Sequence, residues 1–148
     1  MSIFQTYIKN ERQQQLIDLA ERLGNQAQKR VKQAEETAQL PEATIADFKQ
    51  ENFFSLTLPK NLGGQGLSLY EFVLVQERLA AGDGATALSV GWHLGIVKEL
   101  AEEKTWEPKV FDWFAKQVAE EQVLVNRIAS ERATGSPTRG GVPQTTAR

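Results

Sequence analysis

The sequence predicts an all-α domain, a bundle of helices that gives way near its end to one strand and a loop. Three observations carry this prediction. Apolar residues recur at three- and four-residue steps through most of residues 4–118, the signature of helices with one buried face. The tetrapeptide Ser68-Leu69-Tyr70-Glu71 has the side chains of a capped helix start. From Val123 onward the helical period stops, and Gly, Ser and Thr crowd residues 130–146.

Bulk properties narrow the class. A chain of 148 residues holds one domain with one core, burying roughly 70% of its unfolded surface. A hydrophobic share of 41% beside 24% charged residues is that of a soluble globular protein. Seventeen basic and nineteen acidic side chains leave a formal charge of −2, which argues against a nucleic-acid module with a basic face. The absence of cysteine excludes disulfides, thiolate metal sites and Cys nucleophiles, and it fits a reducing cytoplasm. The start, MSIFQTYIKNERQQQ, lacks the apolar core of a signal peptide. The most apolar window, Ala85–Val97, is well short of the ~20 residues of a membrane span. The expectation is a cytoplasmic protein with no membrane span, no nucleic-acid partner and no metal site.

Taken in order, the elements follow from local chemistry. From Phe4 to about Ala38, Leu16, Leu19, Leu23, Ala27, Val31, Ala34 and Ala38 form one apolar stripe on an otherwise charged helix. Leu40-Pro41 ends it, because the residue before proline is pushed out of the α region. Glu42–Glu51 is a short second helix with Ile45 and Phe48 inward. Phe53–Pro59 reads as an extended apolar run, followed by the glycine loop Lys60–Gly66. Ser68 and Glu71 make a capping box, Leu67 and Phe72 stand at hydrophobic-staple positions, and a helix runs from Leu69 to about Ala81. Gly82-Asp83-Gly84 breaks it, and Asp83 or Thr86 starts the next. That helix, Ala85 to about Glu102, is apolar nearly all round through Val97 and belongs at the centre of the bundle. Thr105 is placed to cap a further helix with Pro108 in its first turn and Val110, Phe111, Phe114 and Val118 inward. Val123–Ala129 reads as a strand.

Few residues offer chemistry. Gly63-Gly64-Gln65-Gly66 has neither the GxGxxG nor the GxxxxGK[ST] spacing of a phosphate loop, and permits positive φ in a turn instead. His93, the only histidine, is either a hydrogen-bonded core residue or the lining of a pocket. Trp92, Trp106 and Trp113 are core or interface residues. The tail is richer: Ser130, Thr134, Gly135, Ser136 and Thr138, then Gly140-Gly141, place many amides and hydroxyls after a strand. Such a loop either connects elements or forms a nest for a phosphate or a cofactor edge.

Two segments go further. PKNLGGQGLSLYEFVLVQERLAAGDGATALSVGWH, residues 59–93, resembles the N-terminal helical domain of the acyl-CoA dehydrogenase family: a proline, a GGxG loop, a helix with an LA-containing end, then a small-residue apolar helix. SERATGSP, residues 130–137, resembles the T-E-P-x-A-G-S-D segment that opens the family's middle β-domain. The resemblance covers nearly the whole chain, with both motifs in the family's order.

The resemblance implies an FAD-dependent oxidoreductase acting on the α,β carbons of acyl-CoA thioesters. In that family a carboxylate takes the α-proton and hydride passes to the flavin. The fold has a helical N-terminal domain, a middle β-barrel and a C-terminal four-helix bundle that usually supplies the base, so no catalytic residue is expected in this chain. Residues 1–122 correspond to the helical domain and residues 123–148 to the start of a truncated β-domain. Carried over by position, Arg127, Ala129 and Ser130 fall where the first β-strand touches the flavin. Ser130 takes the place of a threonine that hydrogen-bonds the ring. Gly135 and Ser136 match a pair near the cofactor and the acyl-CoA entrance, which makes Ser136 a substrate-side residue as well. Glu131 is structural. The resemblance also implies a homo-oligomer when full length, with the electron acceptor unspecified.

Three positions depart from the family's pattern: Arg132 replaces a proline, Pro137 an aspartate, and Arg127 stands where an aromatic residue is common. They leave room for a flavin-dependent monooxygenase of the same fold; a helical interaction domain without catalysis is a further alternative, because the sequence as given stops at Arg148.

Overall fold

The computed structural model describes residues 7–127 and 130–146. Six α-helices follow one another in them: α1 (Glu11–Gln28), α2 (Val31–Thr37), α3 (Glu42–Gln50), α4 (Leu69–Gly82), α5 (Gly84–Glu103) and α6 (Pro108–Glu121).

The expected single helix through Ala38 is divided. Asn10 caps α1 by accepting the Gln13 amide (2.9 Å), and α1 stops at Gln28. The apolar stripe continues across the break, so periodicity alone cannot show it. At the break the Arg30 amide bonds Ala27 O (2.8 Å), and the Arg30 guanidinium donates to Asp47 on α3 (2.7 Å). α2 then ends on Ala38 in a left-handed conformation (φ 52°).

Phe53–Leu58 is not the extended run that its composition predicts. It opens with a 3-10 turn at Phe53–Ser55, and all six residues are buried. An extended segment at the core would need a neighbouring strand to satisfy its amides. Here Leu56 N bonds Phe53 O (3.2 Å), Leu58 N bonds Ser55 O (3.1 Å), and the Thr57 hydroxyl donates to Leu94 O on α5 (2.8 Å). The glycine loop that follows is a turn, as expected. Gly63 and Gly66 hold φ of 88° and 59°, and the amides of Gly64 and Gly66 are spent on Pro59 O (3.1 Å) and Leu58 O (2.8 Å).

The α4 start carries the predicted capping box. Glu71 N donates to Ser68 Oγ (3.2 Å), and Ser68 N donates back to Glu71 Oε2 (2.9 Å). Glu71 Oε1 also accepts from Arg12 Nε (2.8 Å), which ties α4 to α1. Burial pushes the Glu71 carboxyl up, but bonds from the Ser68 amide, Arg12 and the Ser68 hydroxyl together hold it below the ordinary carboxylate value. Its stabilisation is therefore complete above the unfolded value of 4.5 and is lost as pH falls through the lower, folded one. Glu71→Ala removes the cap bond and Arg12's partner, and is expected to lower stability by about 2 kcal/mol in urea denaturation. An unchanged midpoint would mean that the box contributes nothing.

α1 lies along α4 as the largest helix–helix interface, with Gly24 and Gly82 back to back. Asp83 starts α5 by accepting the amides of Ala85 (3.2 Å) and Thr86 (3.4 Å). α5 is central, but it does not lack a wet face: Leu88 and Trp92 are 64% and 61% exposed. Thr105 does not cap α6, whose N-cap is Glu107 without a side-chain bond, while Pro108 occupies the first turn as predicted. Phe114, Ala115 and Val118 form its buried face with Phe111 half-buried, and Val110 points outward. Trp113 is exposed and Trp106 sets its ring edge-on to Phe114 at 5.4 Å, so neither is a core residue.

Two apolar clusters result. One joins α1, α3, α4 and the first half of α5 through Phe53, Phe54 and Leu56. The other joins Leu58, the second half of α5 and α6. Residues 123–127 carry no strand, and no strand forms among the described residues. A β-strand exists only through a paired neighbour, and among the described residues no segment pairs with residues 123–127, while residues 128 and 129 of the expected strand lie outside the described residues.

Candidate functional site

The site begins where the chain leaves α6. Gln122 takes φ 50°, which turns the backbone out of the helix and its side chain back into the core, where it is 5% exposed. Its amide nitrogen donates to Val118 O (2.9 Å) and Ala119 O (3.2 Å), and its oxygen accepts from Phe54 N (3.2 Å). His93 on α5 meets the same residue: Nε2 donates to Phe54 O (2.8 Å), and Nδ1 accepts from Val125 N (3.1 Å). A carbonyl can only accept and an amide N–H can only donate, so the two contacts together require the neutral tautomer protonated on Nε2. Burial pushes the His93 pKa below its ordinary 6.5, against the weaker upward pull of the Phe54 carbonyl.

His93 also backs a surface hollow of about 380 Å3, which Leu88, Ser89 and Trp92 of α5 share with Leu124, Val125 and Asn126. The two sequence readings of this histidine, core residue and pocket lining, thus both hold. Trp92 stands over the hollow, outside the core.

The residues matched to the flavin edge follow in sequence. Arg127 is exposed and pairs with Glu99 on α5 (2.9 Å), both half in water, a contact worth little energetically. Ala129 lies outside the described residues. Ser130 is exposed. Glu131 and Gly135 exchange backbone bonds of 3.1 and 2.8 Å, closing a tight turn that needs φ 75° at Gly135. Ser136 is half-buried, its hydroxyl paired with Thr138 Oγ1 (2.8 Å) and its carbonyl accepting from Arg139 and Gly141.

The role of Glu131 as a structural residue has a physical basis that the sequence does not show. Its carboxylate accepts the amides of Gln144 and Thr145 (2.8 Å each) and the Thr134 hydroxyl (3.1 Å), which bring it down to about 2. The chain's own carboxylate thus takes up the Thr134 hydroxyl, one of the polar groups of this loop, and two amides beyond it. The Gly135 backbone is open: a Cβ added there meets nothing within 4 Å. These residues fit a flavin edge: an exposed hydroxyl next to a backbone that can be closely approached. Among the described residues no group of His, Cys, Asp or Glu could hold a metal ion, and no helix is long and apolar enough to cross a membrane.

Comparison with known proteins bears on the whole arrangement. The family model described as acyl-CoA dehydrogenase, N-terminal domain, matches residues 10–109. A Bacillus subtilis (strain 168) protein, YdbM, named provisionally as an acyl-CoA dehydrogenase, is 42% identical over 145 residues. That alignment takes in 98% of this chain and 37% of the relative's length, so the chain spans little more than a third of the protein it matches. The match runs from the α1 cap through the glycine turn, the α4 capping box and α5. The chain belongs to the acyl-CoA dehydrogenase family and carries its N-terminal helical domain.

Proposed function

We propose that this chain is the N-terminal part of an FAD-dependent oxidoreductase acting on the CH–CH group of acyl-CoA thioesters. Residues 1–122 form its helical domain and residues 123–148 open its middle β-domain. The supporting observation is that Arg127, next to the hollow lined by Trp92 and Asn126, and Ser130 are exposed and that open space is kept at Gly135. FAD, when bound, supplies the hydride acceptor. Arg127, Ala129, Ser130, Gly135 and Ser136 hold its ring edge, with the Ser130 hydroxyl free in solvent to bond it. Ser136 also meets the substrate, and α5 walls one side of the acyl pocket. The base comes from outside this chain, so the 148 residues alone have no turnover. The complete protein is a cytoplasmic homo-oligomer.

The charged Arg127–Glu99 pair, standing where the family favours an aromatic residue, keeps a second reading in view: a flavin monooxygenase of the same fold. One experiment separates the two. The complete protein is expected to bind FAD and to lose its yellow absorbance when acyl-CoA thioesters are added without oxygen. Oxygenation of a substrate that depends on supplied reduced flavin would establish the second reading. A complete protein that binds no flavin in either form would overturn both and leave a helical interaction domain.

A further inference from the structure

Among the described residues, the bond from Val125 N to His93 is the only hydrogen bond joining the backbone of residues 123–126 to the bundle. No sheet ladder fixes this stretch sideways, and the side chains of Val123 and Val125 are only half-buried. Apolar contact is not directional, so it can hold the segment against the bundle without fixing where along α5 it lies. A hydrogen bond fixes that position. The ring that supplies it is itself immobilised: its other nitrogen donates to Phe54 O, and the amide of the same residue is held by Gln122 at the α6 end. Val125 lies two residues before Arg127 and five before Ser130.

We propose that His93, seated by Phe54 and Gln122, is a positioning residue: its Nδ1 sets the place from which the Arg127–Ser136 stretch meets the cofactor. This rests on the flavin reading above, so the test has one arm that does not depend on flavin. Asparagine and glutamine divide the ring's two functions, since Asn Oδ1 sits near the place of Nδ1 and Gln Nε2 near that of Nε2. His93→Gln keeps the donor to Phe54 and loses the acceptor for Val125, whereas His93→Asn does the reverse.

In the complete protein, His93→Gln is expected to speed hydrogen exchange at the Val125 amide about tenfold relative to Leu94 on α5, and to weaken FAD binding by a similar factor. His93→Asn should lower the denaturation midpoint yet keep Val125 protection and FAD affinity near those of the unmodified protein. Nitrogen chemical shifts of His93 in the unmodified protein provide a check without substitution and should show the Nε2–H tautomer. A ring protonated on Nδ1, or equal Val125 exchange in the Gln variant and the parent, removes the clamp. FAD affinity that falls equally in both variants, in step with their stability, makes His93 a core residue and nothing more. If no form of the protein binds flavin, the flavin reading fails, and with it the proposed service to a cofactor, while the exchange data still decide whether the clamp exists.

Discussion

Gly82→Ala is expected to destabilise the domain by about 3 kcal/mol, the upper end of the overpacking range. On helix propensity alone the change should help, by about 1 kcal/mol. The contact outweighs that gain. A Cβ at position 82 would lie 2.6 Å from Gly24 O and 2.7 Å from Gly24 Cα, with Gly24 C closer still. These are backbone atoms of α1, so no side chain can rotate away and the two helices must move apart along their longest interface. Gly24→Ala presses on Leu79 O at 2.9 Å and should cost less. Urea denaturation of both variants tests this order. A Gly82→Ala midpoint at or above that of the parent would show that α1 and α4 are not in backbone contact.

His93→Ala is expected to cost about 4 kcal/mol. It strands a buried carbonyl at Phe54 and an amide at Val125, each at about 1–3 kcal/mol, and leaves a cavity beneath the Phe54 ring, which the imidazole meets edge-on at 5.7 Å. The same residue sets a pH dependence. Because its folded pKa lies below the unfolded 6.5, the unfolded chain takes up a proton first, and stability falls as pH drops from 6.5 towards the folded value. Above that window the full stability is present. The chain has no other histidine, so a decline beginning near pH 6.5 can be assigned to this ring. Denaturant midpoints at about pH 7.5 and about pH 5.5 should differ in the parent and agree more closely in His93→Gln. A parent whose midpoint is flat across the window would show that His93 titrates normally.

How much of this was legible depended on the range of the interactions involved. The α4 start could be read because Ser68 and Glu71, which cap it, stand three residues apart. α3 and α5 could be read from period and breakers, and the family resemblance from the motif at residues 59–93, which lies inside the family match over residues 10–109. The break after Gln28 depends on Arg30 reaching Asp47, and the buried turn at Phe53 on partners at Leu94 and Gln122, none of them adjacent in sequence. A six-residue apolar run suits a strand or a buried turn equally well. For Trp92 the local pattern left core and interface open, and its exposure beside the hollow rules out only the core. In the candidate site, Ser130, Gly135 and Ser136 were visible as residue types, while the grip of Glu131 on Gln144 and Thr145 spans a loop that no spacing rule describes.

The division of the interior into two apolar clusters sets an order of disassembly. α5 belongs to both, so the domain melts as a whole once α5 is lost. α6 draws its apolar contacts from the smaller cluster and is tied to the larger one chiefly by the Gln122–Phe54 and Val125–His93 hydrogen bonds, so it can peel away first while α1, α3 and α4 stay assembled. Heat or denaturant should therefore release the end of the chain after α6 before the helical signal collapses.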